Sequence, residues 1–393
     1  MLNRPKPEFC PRGIARYIPK SRMPGRDEFV IEEDIARAWS LPARLYFDPQ
    51  IFSDERYCIF SRTWQVVGRR EQISKPGDYF TAEVSGEPIL IARGNDGALR
   101  GFYNICRHRA GPPAEGCGSR KVFRCGYHGW TYSLEGHLLS APEMEGVENF
   151  HHDEFGLRPI RCEAWQQWIF VNLDPHAPPL AEDLSELSAQ VSKFPLPEMH
   201  FVERRDYRMQ CNWKTYVDNY LEGYHLPSVH PGLNRELDYS SYATRQFERH
   251  SVQYSPIRDA KNEASGPRRY QAAEGLSAEY YWIFPNWMLN CYPDNVSINI
   301  IVPLGPEETL AIFEWYLTDE AAKNPAVHDA VRFSDEIQLE DGRICETVQR
   351  NLHSRSYHRG RYSVKQERCV HHFHRLYAEF TRAAGETASG RGA

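Results

Sequence analysis

Apolar spacing along the chain changes character twice. From about Phe60 to Asp174, short apolar runs alternate with turn signals, which predicts a series of brief β-strands. Ile89 to Ala92 and Leu99 to Tyr103 flank Asn95-Asp96-Gly97, a hairpin signal, and Trp130 to Leu134 and His137 to Leu139 flank a second at Glu135-Gly136. Trp168 to Leu173 is a further strand, closed by Asp174-Pro175. Pro178-Pro179 and the region of Pro195 and Pro197 mark a boundary. Beyond it, strands are predicted over Phe201 to Met209, Tyr280 to Trp287, Val296 to Pro303 and Thr309 to Leu317. Helices are predicted from about Trp213 to His225 and from about Ala326 to Leu352. Ahead of all this, one helix, Glu28 to Trp39, sits in a lead-in rich in prolines and charges. The polar end, from about Ala383 to Ala393, has the composition of a disordered tail.

The pattern is that of an α+β protein: a small β domain beside an antiparallel sheet with helices. The expected segments are a lead-in over 1–55, a β domain over 56–180, a larger domain over 181–383 and a flexible tail over 384–393. A net charge of -6 and a pI near 6.3 leave no electrostatic footprint for nucleic acid. No run approaches the roughly 18 apolar residues that a membrane span needs. Met1 to Arg26 lacks the apolar stretch of a secretory signal, and the ten cysteines show no disulfide rhythm, so a reducing cytoplasm is expected.

Two of those cysteines sit in distinctive arms. Cys106-Arg107-His108 is followed, after sixteen residues, by Cys125-Gly126-Tyr127-His128. A Rieske [2Fe–2S] cluster binds one iron through two thiolates and the other through two imidazoles, so each arm would give one ligand to each iron. A structural zinc also takes Cys2His2 sets, but it usually pairs like with like, whereas each arm here mixes the two.

A second metal signal lies in Asn212 to His230. Glu222 and His225, three apart, would share a helix face. His230 would be turned away on a continuous helix, but Pro227 is read as ending that helix, which frees His230 to swing back. Two imidazoles suit a mononuclear iron when one carboxylate completes an open-sided triad. Asp218 is about 10 Å up the axis from His225, too far to join it. The late helix offers Glu336, Glu340, Asp341 and Glu346, and spacing alone does not choose among them. Two ordinary polar residues at a helix end are the plainer reading of the histidine pair.

Together these residues resemble the oxygenase α subunits of Rieske non-haem iron oxygenases. The likeness rests on Cys106 to Ala110, Cys125 to Thr131, Asn212-Trp213-Lys214 and Asn219 to His230, and spans nearly the whole chain. It implies a Rieske domain and a helix-grip catalytic domain. Cys106, His108, Cys125 and His128 would hold the cluster, and His225, His230 and Asp341 the Fe(II), Asp341 by its place in Glu340-Asp341-Gly342. Asn219 and the bridging acid Glu222 would be catalytic. Electrons would come from a separate NAD(P)H-dependent reductase and cross to the iron between subunits of a homotrimer, leaving the cluster through His108 or His128. The family pattern favours His128.

Glutamate at position 222, with Ile344 to Arg350 and His371 to Arg375, resembles the branch acting on carnitine, glycine betaine and proline betaine. Such a substrate would meet O2 in an aromatic cage, for which Tyr280, Tyr281, Trp282, Phe284, Trp287 and Tyr292 are candidates, although strand alternation sends half of them elsewhere. The same rings would serve the alternative, an aromatic ring or acid.

Overall fold

The computed structural model describes residues 30–257, 277–292 and 295–389. From Val30 onward the expected helix over Glu28 to Trp39 is not formed. The Asp34 carboxylate takes the Ala36 N–H at 3.0 Å and makes a turn there, and Trp39 bridges to Arg361. The first α-helix among the described residues is α1, Pro49–Glu55, capped by Asp48 with proline in its first turn.

The N-terminal half is built on ten strands, β1 (Gln65–Arg69), β2 (Asp78–Val84), β3 (Glu87–Arg93), β4 (Leu99–Tyr103), β5 (Cys117–Ser119), β6 (Phe123–Arg124), β7 (Thr131–Tyr132), β8 (Leu138–Ser140), β9 (Pro159–Trp165) and β10 (Trp168–Asn172). One sheet has the order β1-β10-β9-β4-β3-β2-β5, and the small sheet β6-β7-β8 stands apart from it. The hairpin at Asn95-Asp96-Gly97 forms between β3 and β4. The second expected hairpin forms between β7 and β8 with shorter strands.

After the short helices α2 (Leu180–Asp183) and α3 (Ser185–Val191) comes β11 (Met199–Met209). Helices α4 (Trp213–Tyr220), α5 (Leu226–Val229) and α6 (Leu233–Glu236) follow, then β12 (Ala243–Gln246), β13 (His250–Ser255), β14 (Ala278–Ile283), β15 (Trp287–Cys291), β16 (Asn295–Gly305) and β17 (Glu308–Thr318). Two long helices close the chain, α7 (Pro325–Leu352) and α8 (Arg368–Ser389). The strands make one antiparallel sheet, β11-β17-β16-β15-β14-β13-β12.

Four sequence expectations change here. The strand expected over Tyr280 to Trp287 is split at Phe284-Pro285-Asn286, where proline cannot donate to a ladder. The expected helix to His225 stops at Tyr220, so Glu222 and His225 lie on a loop. There Gly223 passes so close to Tyr242 that a Cβ would meet the ring at 2.8 Å. Pro227 opens α5 rather than ending a helix. Finally, α8 carries on through the supposed tail as far as Ser389.

Strand alternation sends the two faces of the second sheet into different cores. Ile298, Ile312, Tyr316, Tyr281 and Trp287 face the first sheet and pack with its Trp64, Trp168 and Phe170. Ala311, Phe313, Trp315 and Trp282 face α4, α7 and α8, and this core also takes in Leu41, Tyr46, Ile51 and Phe60 of the lead-in. The two halves are further tied by Trp168 Nε1 donating to the Tyr316 hydroxyl at 2.7 Å and by Arg69 meeting buried Glu314 at 2.5 Å.

One fully buried ion pair anchors α4. Lys214 Nζ meets Glu55 at 2.6 Å, and Glu55 also accepts from Trp213 Nε1 at 2.8 Å and the Tyr377 hydroxyl at 2.7 Å. With these three donors on its two oxygens, the carboxylate of α1 fixes α4 against α8.

Candidate functional site

The two Cys/His arms form loops of the same shape. Cys106 N donates to Gly111 O at 2.8 Å and Ala110 N to Cys106 O at 3.0 Å; Cys125 N donates to Trp130 O at 2.9 Å and Gly129 N to Cys125 O at 3.0 Å. The fifth residue of each loop is left-handed, Ala110 at φ 57° and Gly129 at φ 74°. Each closure turns its cysteine inward, and Cys106 and Cys125 are 3% and 2% exposed. A Cβ at Gly111 would lie 2.8 Å from Cys125 Sγ, so the loops meet only because that position is glycine.

His108 and His128 face one another with ring centroids 4.5 Å apart, and His108 stacks on Trp130. The buried Nδ1 of His108 has no hydrogen-bond partner, a costly condition unless another group takes its lone pair. Burial first, then His128 and Arg109, lowers the His108 pKa and favours the neutral imidazole that ligation needs. Two buried thiols on paired loops that also carry two neighbouring imidazoles, one with an orphaned nitrogen, fit a Rieske cluster. His128 and its neighbour Tyr127 are exposed, so this imidazole marks the outer edge of the site.

The second site comes from helices and a loop. Ligand atoms of His225, His230 and Asp341 all lie within 4.8 Å of one another. Asp341 Oδ1 is 2.9 Å from His230 Nε2 and 3.7 Å from His225 Nε2. Asn219 at the end of α4 donates to the same oxygen at 2.6 Å. Of the four acids the late helix offered, the structure brings Asp341 to both histidines. Glu222 holds His225 twice, through Nδ1 at 2.7 Å and the backbone N–H at 3.0 Å. Burial opposes protonation of His230, but Asp341 and Glu340 outweigh it and raise its pKa. Two imidazoles and one carboxylate with an open side are the donor set of a mononuclear non-haem iron.

That open side faces a cavity of about 810 Å³, its mouth included. Its floor is a row across the sheet, Gln253 paired with Tyr280, Tyr280 with Asn290 and Asn290 with Ser297. The Tyr220 hydroxyl donates to Asn290 Oδ1 at 2.7 Å, and Asn290 Nδ2 reaches Ser297 and Asn299, each at 3.1 Å. Of the expected aromatic cage, Tyr280 and Tyr292 line the cavity, their hydroxyls 3.1 Å apart. Tyr281 and Trp287 face the first sheet instead, and Trp282 and Phe284 pack toward α8. The polar floor was missed in the sequence, although Ser297 and Asn299 stand at alternate positions of β16 amid an apolar run, which is its signal.

A second cavity lies behind Glu222 and His225, walled by Asp218, Tyr362, Glu367 and His374. His374, from the His371 to Arg375 stretch, takes the Tyr362 hydroxyl on Nδ1 at 2.7 Å and meets Asp218 through Nε2 at 2.9 Å. Burial first, then Glu222 and Asp218, raises the Glu367 pKa against the opposing Ser363 N–H.

Comparison with known proteins finds a family match in each half of the chain. Residues 63–151 match the Rieske [2Fe-2S] domain, and residues 196–383 match the ring hydroxylating alpha subunit (catalytic domain). The chain is 34% identical to the chloroplastic choline monooxygenase of Arabidopsis thaliana, over 89% of this chain and 84% of that one. It is 33% identical to the carnitine monooxygenase oxygenase subunit of Escherichia coli (strain K12), over 90% and 97%. A crystal structure of the quaternary ammonium Rieske monooxygenase CntA in complex with its substrate L-carnitine superposes with a TM-score of 0.76 at 27% identity, covering 92% of this chain and all of that one. The chain therefore belongs to the Rieske non-haem iron oxygenases as an oxygenase α subunit. Its cofactors are a [2Fe–2S] cluster and a mononuclear iron, and its electrons come from a separate component. No described helix is long and apolar enough to cross a membrane.

Proposed function

We propose that this subunit hydroxylates a C–H bond of an N-methylated quaternary ammonium compound, releasing a methyl group or the headgroup. The observation that carries the proposal is the meeting of His225, His230 and Asp341 beside a cavity lined by Tyr280, Tyr292 and neutral amides. Ring faces attract a bulky alkylammonium, and the amides hold its polar end. Relatives named for choline and carnitine support the same substrate class. Overall, substrate, O2, two electrons and two protons give the hydroxylated product and water.

In this reading Cys106 and Cys125 bind one iron of the cluster and His108 and His128 the other. His225, His230 and Asp341 hold the mononuclear iron, which supplies O2 activation when bound. Asn219 steadies Asp341 by donating to the ligating oxygen. Glu222 fixes His225 from the side of the second cavity, where it also stands ready for a histidine of another copy. The cluster tip carries Arg107, Arg109 and Arg124, while that cavity carries the three acids Asp218, Glu222 and Glu367 against one base, Arg361. This complementarity favours a head-to-tail ring, a homotrimer in which exposed His128 of one copy faces Glu222 of the next. An NAD(P)H-dependent reductase in the cytoplasm would feed the cluster.

Metal analysis and O2 uptake test the proposal. About three irons per chain are expected, two with acid-labile sulfide. Uptake with a generic reductase should be stimulated by choline, carnitine or a betaine, with matching product, and should vanish in His225→Ala. Product-coupled uptake with aromatic acids alone would reject the ammonium substrate. Two irons per chain, with activity retained in His225→Ala, would reject the site.

A further inference from the structure

Helix α7 presents two adjacent acids, Glu340 and Asp341, and both reach the same imidazole. Consecutive helical residues point about 100° apart, so they can do this only by gripping opposite edges of the ring. Asp341 Oδ1 lies 2.9 Å from Nε2 of His230, and Glu340 Oε2 lies 2.6 Å from Nδ1. His230 is 1% exposed, so water cannot replace either partner. With Nε2 turned to the ligand cluster, the ring proton belongs on Nδ1, and Glu340 is its acceptor.

Glu222 and His225 repeat the arrangement on the other side of the site. The two glutamates nevertheless stand in different places. Glu222 lines both cavities, whereas Glu340 lines neither and has a side chain 38% exposed toward the outside. Glu340 is therefore set apart from both cavities, and among the described residues its side chain bonds His230.

We infer that Glu340 is the positioning carboxylate of this site: it fixes the tautomer and tilt of His230 and so governs how tightly iron is retained, separately from the electron route through Glu222. The inference rests on the reading of His230 as an iron ligand. A carboxylate on the far nitrogen of a ligating histidine orients the ring and makes the near nitrogen a stronger donor. Losing such a partner typically weakens metal binding 10–100-fold.

The test compares Glu340→Ala, Glu340→Gln and His230→Ala in the full chain. Fe(II) affinity is read by chelator competition, and the ligand field by the visible spectrum of Co(II) put in its place. Cluster absorbance reports that each variant is folded. Glu340→Ala should weaken Fe(II) binding 10–100-fold and alter the Co(II) bands. Glu340→Gln, which keeps an acceptor oxygen without the charge, should fall between it and the parent, and it decides the matter if the alanine variant does not fold. Parent-like affinity and spectra in Glu340→Gln and Glu340→Ala, with binding lost in His230→Ala, would overturn the role of Glu340 and leave the ligand set standing. Full affinity in His230→Ala would overturn the ligand set, and this inference with it.

Discussion

The cluster loops and the mononuclear site are assembled by different means. Cys106 to Gly111 and Cys125 to Trp130 are shaped by their own backbone hydrogen bonds, with one left-handed residue in each. His225, His230 and Asp341 come from a loop, the end of a short helix and the middle of a long one, and side chains hold them: Glu222, Glu340 and Asn219. A site shaped by local backbone depends on a few residues in order. A site shaped by side-chain clamps depends on distant packing that sets helices at the right depth.

The largest effect is expected where that packing is concentrated. Glu55→Ala leaves Lys214 buried without a counter-charge and frees Trp213 and Tyr377, so stability should fall by about 3–5 kcal/mol in chemical denaturation. If cluster absorbance is lost in the same transition as helical signal, the two regions melt together, as their shared core requires; an early, separate loss of the cluster would break the comparison.

Acid should strike the clamped half next. Burial first, and then His372, lowers the pKa of His250 from 6.5 to about 4. The folded state therefore binds fewer protons than the unfolded chain between these values. The contribution of His250 is present above pH 6.5 and disappears as pH falls toward 4, about 3 kcal/mol in all. Unfolding midpoints measured across that window should fall with pH and flatten in His250→Gln.

The smallest effect belongs to the loops. Arg107 N donates to the Tyr132 hydroxyl at 3.0 Å, which turns the phenol proton toward Cys106 Sγ, 3.1 Å away. A hydrogen bond to a ligand sulfur favours the reduced cluster. Tyr132→Phe should lower the reduction equilibrium about tenfold, roughly 59 mV for one electron, without loss of iron. An unchanged potential would show that the loop backbone alone sets it.

This contrast also explains what could be read in advance. The two Cys/His arms were legible as a unit because the four proposed ligands lie within 23 positions and the loops that carry them are local. The strands β16 and β17 were legible because their apolar runs are long and their faces buried, and β11 because exposed and half-buried positions alternate along it. The end of α4 was not, since it is decided by Gly223 passing against Tyr242, a contact with a strand-side loop. Nor could spacing select Asp341 from Glu336, Glu340 and Glu346, because helical neighbours differ only in which way tertiary packing turns them. The family resemblance supplied that choice, and α7 turns Asp341 to the histidines. The fate of the aromatic run was half readable: alternation foretold that some rings would leave the cavity, as Tyr281 does, while tertiary packing takes Trp282 to α8 although it shares a face with Tyr280.

Trp64, Trp168 and Phe170 share one interior with Tyr281, Trp287 and Tyr316, so the two halves are not interchangeable cassettes. A chimera carrying the N-terminal half of a relative would have to bring matching rings on both sides of that seam, together with Arg69 and Glu314. Sequence drift in either half is thereby constrained by the other, and recombination between members of this lineage should succeed only at crossover points that keep the seam intact.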